Sequence, residues 1–222
     1  MDPVTRRSSS RPVVAAFDVD KTLTTRDCVI PFLRRVGGST FVGRLAARAP
    51  QLVVAVLRRR RDRVKALATR AAPKGRSVAE VDTVAQRFAD EVWERHMRPD
   101  TVARLRWHVA QGHRVVLVSA SYRNYLAPLA ERLGAHDVIS TELEVEGGIC
   151  TGELHGPNCR AAVKADRLRA WLETSGLSDV EIHAYGDSAG DRELLAMADR
   201  PTLVGSSTID AAPHVVEVSG AS

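Results

Sequence analysis

Residues 13–22 read VVAAFDVDKT. The run from Val13 to Phe17 is apolar without alternation, the pattern of a strand buried on both faces of a parallel sheet. Asp18 and Asp20 leave the end of that strand two residues apart and point the same way. Left alone, two such carboxylates repel one another, and a cation between them is the simple physical remedy. Carboxylates with water and phosphate oxygens suit Mg²⁺. A DxD of this kind also fits an ordinary surface turn, so its meaning depends on the rest of the chain.

From Asp27 to Met97 the spacing is helical. Val29, Phe32, Leu33 and Val36 recur on one helix face, and Gly37-Gly38 stops it. Residues 41–72 fit one or two helices, with Pro50 as a kink or restart. Ser77 and Glu80 have capping-box spacing for another helix through Val92. Beyond Pro99 the grammar changes to helices alternating with apolar strands. Helices are expected at 101–111, 122–133, 161–174 and 191–198. Strands are expected at 115–118, 138–139, 181–185, 202–204 and 215–218. Gly147-Gly148 centres a β-hairpin over 142–154. This alternation predicts an α/β fold with a doubly wound, Rossmann-like, mainly parallel sheet flanked by helices. The predicted domains are a core of 12–26 and 98–222, a helical insertion at 27–97, and a flexible polar tail at 1–11.

Three more clusters follow predicted strands. Val118-Ser119-Ala120-Ser121 puts small hydroxyl residues where a helix should begin. Lys164 is the only lysine after position 74 and stands early in a helix. Tyr185-Gly186-Asp187-Ser188-Ala189-Gly190-Asp191 again places carboxylates after a buried strand, with small residues that permit close backbone approach. Each has a bland alternative; Asp191 alone could cap the next helix. Together they fall at the carboxyl ends of successive parallel strands, where open α/β sheets bind ligands.

DVDKT, VSAS, the isolated Lys164 and GDSAGD, in this order, resemble the four motifs of the haloacid dehalogenase superfamily of phosphatases. The helical insertion after the first motif is similar to the cap of the phosphoserine-phosphatase-like branch, subfamily IB. The resemblance implies a Mg²⁺-dependent phosphatase acting on a phosphate monoester. Asp18 would be the nucleophile that forms an aspartyl phosphate, and Asp20 the general acid and then base. Ser119, Ala120, Lys164 and Thr22 would bind the phosphoryl group. Asp18, the main-chain carbonyl of Asp20 and Asp187 would hold Mg²⁺, with Asp191 in support.

The chain departs from true phosphoserine phosphatases at three places. Asp27 stands where they carry a glutamate that reads the substrate amino group, Ala120-Ser121 where they have two glycines, and Gly190 where an asparagine is usual. The layout resembles more closely the bacterial relatives of the phosphatidylglycerophosphatase type. A small or lipid-linked anionic phosphate monoester is therefore the expected substrate. Phosphoserine is the alternative, and a noncatalytic phospholigand or membrane-binding module is the alternative of a different class.

Charge sharpens that expectation. The 222 residues carry a net +5, yet Arg34 to Arg76 contains thirteen Lys/Arg and one acid, Asp62, so the remainder is net acidic. A basic insertion attracts an anionic substrate or an anionic membrane surface. Nucleic acid is not expected, because basic residues are not interleaved with aromatic ones as a stacking platform. Oligomeric state is not legible. Hydrophobic and charged fractions of 44% and 27% are globular values that exclude disorder for most of the chain. Cys28, Cys150 and Cys159 are odd in number and widely spaced, which excludes a disulfide scaffold or structural zinc. No apolar run reaches the roughly 20 residues of a membrane span, and the N-terminus has no apolar leader core. The expected location is the cytoplasm, with contact at the inner membrane face left open.

Overall fold

In the computed structural model, which describes residues 11–205, strand β1 (Val13–Phe17) lies in the middle of a five-stranded parallel sheet. The other strands of that sheet are β2 (Arg114–Tyr122), β3 (Asp137–Thr141), β6 (Glu181–Gly186) and β7 (Arg200–Leu203), in the order β3-β2-β1-β6-β7. β4 (Leu143–Glu146) and β5 (Ile149–Leu154) form the separate antiparallel hairpin that Gly147-Gly148 foretells. Because β1 pairs with β2 on one side and β6 on the other, the chain reverses its winding direction there. Phe17 is in register with both Leu117 and Tyr185, so the residues that follow these three positions share one edge.

Side chains of β1 alternate between two apolar layers, as a doubly covered sheet requires. Ala15 and Phe17 join Val115 and Leu117 on one face, while Val14 and Ala16 join Val116, Val118, Ile182 and Ala184 on the other. The second face is covered by α8 (Ala162–Thr174) and α9 (Arg192–Ala196). On the first face lie α6 (Pro99–Ala110) and α7 (Arg123–Leu133).

Between β1 and α6 the chain makes five α-helices, α1 (Val29–Gly37), α2 (Phe41–Ala46), α3 (Ala49–Leu57), α4 (Arg61–Ala71) and α5 (Val78–Arg95). None of this segment pairs with the main sheet. Where it leaves and returns, Thr24 and Met97 form a single antiparallel bridge. The capping box at Ser77 and Glu80 is present. The expectation of one or two helices over 41–72 needs correction, because there are three. Pro50 lies in the first turn of α3, where its missing N–H breaks no helical bond. A second break falls at Arg58–Arg60, with Arg59 at φ +51°.

Other boundaries also shift. β2 continues past Val118 to Tyr122, so Ser119–Ser121 is extended chain and not a helix start. A 3₁₀ turn at Ala189–Asp191 precedes α9, which is shorter than expected. The expected strand at 215–218 lies outside the described residues, as do residues 1–10 of the expected tail.

The insertion and the sheet share one apolar cluster. Phe32 of α1 is fully buried, with ring centroids 5.6 Å from Phe88, 5.6 Å from Tyr122 and 4.8 Å from Tyr125. Phe32→Ala would leave a cavity among three rings. The expected cost is ~3–5 kcal/mol, read as a lower urea midpoint at unchanged m-value.

Candidate active site

Asp18, Ser119 and Asp187 come together because β1, β2 and β6 are neighbours in near register; Asp18 and Asp187 follow their strands, and Ser119 lies in β2 just past its paired stretch with β1. The β2–β3 ladder opens between Val118 and Tyr122: four residues advance on β2 while two advance on β3. This irregularity releases the Ser119–Ser121 backbone from pairing and lets it serve the site.

Lys164, on the first turns of α8, reaches two carboxylates. Its Nζ donates to Asp18 Oδ1 at 2.5 Å and to Asp191 Oδ1 at 2.6 Å, and all three residues are buried. Asp18 Oδ2 accepts from Thr22 Oγ1 at 3.0 Å. Desolvation pushes Asp18 up to about 6, with Lys164 opposing it. Burial alone would pull the Lys164 ammonium down, but Asp18 and Asp191 outweigh it and hold its pKa above the usual lysine value. Asp191 is fixed from its other oxygen too, where Ser188 donates its N–H at 3.1 Å and its hydroxyl at 3.0 Å.

Asp20 faces a different set of partners. Its Oδ1 accepts from the Cys28 N–H at 2.9 Å and its Oδ2 from the Ser121 hydroxyl. Burial, then Asp27 and Asp18, push this carboxyl up to about 7, where it can hold or release a proton near neutrality.

Carboxylate oxygens of Asp18, Asp187 and Asp191 lie within 4.8 Å of one another. Three carboxylates against one lysine leave the cluster net negative, and burial together with Asp191 raises the pKa of Asp187. An all-oxygen, anionic donor set that a cation would relieve fits Mg²⁺. Asp20 stands outside this carboxylate cluster among the described residues, so any share it has in metal binding falls to its main-chain carbonyl.

These groups line a cavity of about 700 Å³. Ser119, Ala120 and Asp27 line it as well, Asp27 from an exposed position where its Oδ1 accepts from the Val29 N–H at 2.9 Å. Thr22 is fully buried and its hydroxyl is committed to Asp18, which places it behind the site and not on the cavity wall.

Sequence reasoning missed several participants. Ser121 is one, although it shares a strand face with Ser119. Lys65 of α4 is another: it is buried, and its Nζ donates to the Ala120 carbonyl and, at 2.6 Å, to Asn158 Oδ1. Asn158 in turn donates to Asp62 at 2.6 Å, and Thr141 Oγ1 donates to Asn158 Oδ1 at 2.8 Å. The available signal was the choice of lysine within an arginine-rich run, one of only four lysines in the chain.

Comparison with known proteins follows the same lines. The haloacid dehalogenase-like hydrolase family matches residues 15–196. Protein CicA of Caulobacter vibrioides is 39% identical over 199 residues, covering 89% of this chain and 88% of that protein. Phosphoserine phosphatase SerB2 of Mycobacterium tuberculosis is 30% identical over 183 residues, covering 82% of this chain and 41% of that one. A crystal structure of a protein of unknown function from Bordetella pertussis superposes with a TM-score of 0.73 at 26% identity, over 87% of this chain and 90% of that one.

Gly186 ends β6 with almost no room beside it: a Cβ there would fall 2.5 Å from Asp191 Cβ. Gly186→Ala must therefore push Asp191 away from Lys164. Overpacking of this kind costs ~1–3 kcal/mol, seen as a fall in Tm. Calorimetric Mg²⁺ affinity should also drop in the same variant, whereas unchanged affinity would separate Asp191 from the cation site.

Proposed function

The chain belongs to the haloacid dehalogenase-like hydrolases and is a phosphoric monoester hydrolase; from that premise we propose that it transfers the phosphoryl group of an anionic phosphate monoester to Asp18 and then to water. The observation that carries this is the double grip of Lys164 on Asp18 and Asp191 beside Asp187. It presents a fixed, desolvated carboxylate next to a donor set for a divalent cation. Thr22 holds the second oxygen of Asp18, so the attacking atom is oriented before substrate arrives.

In the first step Asp18 forms a bond to phosphorus, the ester P–O bond breaks, and the proton of Asp20 goes to the leaving oxygen. In the second step a water attacks phosphorus, its proton returns to Asp20, and the bond to Asp18 breaks. Ser121 and the Cys28 N–H keep Asp20 pointed at the reacting ester. Ser119, the Ala120 backbone and Lys164 hold the phosphoryl oxygens. Asp18, the Asp20 carbonyl and Asp187, with Asp191 behind them, would hold Mg²⁺, which when bound would supply the positive charge that lets one anion approach another. Residues 12–26 and 98–222 form the catalytic core in this scheme and 27–97 its cap, whose closure excludes water during the first step.

The substrate class follows from the cap. Arg59, Arg60 and Arg61 line the cavity, which favours a strongly anionic ester over a zwitterion. Similarity to SerB2 supports phosphoserine as the alternative substrate. The chain's departures at Asp27, Ala120-Ser121 and Gly190 weigh toward the subfamily IB relatives of the phosphatidylglycerophosphatase type.

A second surface favours a lipid-linked ester. Val53, Val54, Val56 and Leu57 of α3 are exposed and run directly into Arg58–Arg61. Apolar side chains rimmed by arginines suit an anionic bilayer surface. The contact proposed is peripheral; among the described residues no single helix is long and apolar enough to cross a membrane.

Two experiments test these proposals. Wild-type protein with Mg²⁺ should hydrolyse an aryl phosphate, stop with a chelator and resume when Mg²⁺ is restored. Asp18→Asn should lower the rate ~10³-fold or more, and parental activity in that variant would refute the assignment. For the surface, replacing Arg58–Arg61 by Gln should cut binding to phosphatidylglycerol vesicles at least ten-fold, at ~1 kcal/mol per arginine. Wild-type binding should itself weaken as salt rises. Equal binding by both proteins would assign those arginines to the cap alone.

A further inference from the structure

Tyr125 stands in α7, four residues after Ser121, and is completely buried. Its ring packs against two aromatic side chains of the helical insertion, with centroids 4.8 Å from Phe32 and 5.2 Å from Phe88. Those contacts use only the ring, and phenylalanine would make them equally well. The hydroxyl is a separate matter. It is buried and has no hydrogen bond of normal geometry among the described residues. A buried hydroxyl left unpaired destabilises a fold, so packing does not account for the choice of tyrosine.

The neighbours of that hydroxyl belong to the Asp20 side of the site. Burial raises the phenol well above the ordinary tyrosine range, Asp20 and Cys28 raise it further, and Ser121 opposes them as a hydrogen-bonding side chain. Asp20 Oδ2 accepts from the Ser121 hydroxyl, and its Oδ1 accepts from the Cys28 N–H at 2.9 Å. Ser121 has one hydroxyl proton, and that proton is committed to Asp20. Its oxygen therefore faces Tyr125 as an acceptor, while Tyr125 has a proton to donate. The three groups form a line from Tyr125 through Ser121 to Asp20. A donor behind Ser121 polarises its O–H and strengthens the bond that Ser121 makes to the carboxylate. Tyr125 has no competing bond to give up, and Phe32 and Phe88 fix the plane from which its hydroxyl acts.

We propose that Tyr125 is a positioning residue whose hydroxyl donates to Ser121 Oγ and, through Ser121, holds the Asp20 carboxyl in line with the leaving oxygen of the ester. This rests on the phosphatase function proposed above. Tyr125 itself touches neither substrate nor metal ligand; it acts on the group that does.

Leaving groups separate this role from packing. An aryl ester such as p-nitrophenyl phosphate needs little proton donation at its leaving oxygen, whereas an alkyl ester such as glycerol 3-phosphate depends on it. Tyr125→Phe in the full chain keeps the ring and should not lower Tm. It should reduce kcat/KM for glycerol 3-phosphate about ten-fold and change that for p-nitrophenyl phosphate less than about two-fold. In a Ser121→Ala background the same substitution should have no further effect on the alkyl ester. Equal losses on both esters, or an unchanged alkyl rate, would overturn the proposal. A second measurement needs no turnover. The chain has three tyrosines, so with ¹³C at the hydroxyl-bearing ring carbon the signal lost in Tyr125→Phe identifies this residue. Ser121→Ala should shift that signal, and an unmoved signal would overturn the pairing. If wild-type protein turned over neither ester, the phosphatase function would be refuted, and the labelled signal would still decide whether Tyr125 bonds Ser121.

Discussion

Four carboxylates, Asp18, Asp20, Asp187 and Asp191, converge on the edge of one parallel sheet, and the buried Lys164 stands between two of them. Most of the site's architecture answers that electrostatic problem. Lys164 binds two of the four and so neutralises the most buried pair. Ser188 and the 3₁₀ turn around it hold Asp191 in reach, and Gly186 leaves the space Asp191 needs. Asp20 is separated from the cluster by its own donors, Ser121 and the Cys28 N–H. What remains is a net negative pocket that a divalent cation completes. Removing one partner from a buried ion pair typically costs ~3–5 kcal/mol, so the four-motif constellation is as much a condition of folding at this edge as of chemistry.

The sheet makes this crowding possible. Parallel strands in near register bring their carboxyl ends to one line, and the reversal at β1 puts motifs from distant parts of the chain side by side. The opening of the β2–β3 ladder then frees the Ala120 carbonyl, which accepts from Lys65. One backbone irregularity thereby links the phosphoryl-binding strand to the helices above it. The helical segment is also tied to β5, through the N–H of Gly75 to the Cys150 carbonyl at 2.9 Å and the ion pair of Arg70 with Glu153.

Where a residue's position depends on its own strand, the sequence disclosed it. The unbroken run 13–17, the carboxylates after it, the small residues of GDSAGD and the isolated Lys164 are all local signals, and their spatial meeting follows from parallel topology. The Ser77–Glu80 cap was legible for the same reason. Thr22 was misjudged in orientation, since a hydroxyl near a strand end can face a ligand or turn back on the nucleophile, and only packing decides. The restart at Pro50 was legible, whereas the break at Arg58–Arg60 was blurred because arginine has good helix propensity and hides a stop that the positive φ of Arg59 imposes. Lys65 and Asn158 stand 93 residues apart. Nothing local marks that contact, because it exists only once the helical segment has folded back over the sheet.

The central claim is that Asp18 carries the phosphoryl group covalently between two steps. Acid quenching of protein turning over a phosphate ester labelled at phosphorus, followed by peptide mapping, tests it directly. The label is expected on the peptide containing Asp18 and should be absent from Asp18→Asn protein. Release of phosphate with no label on Asp18, or with the label on another residue, would contradict it.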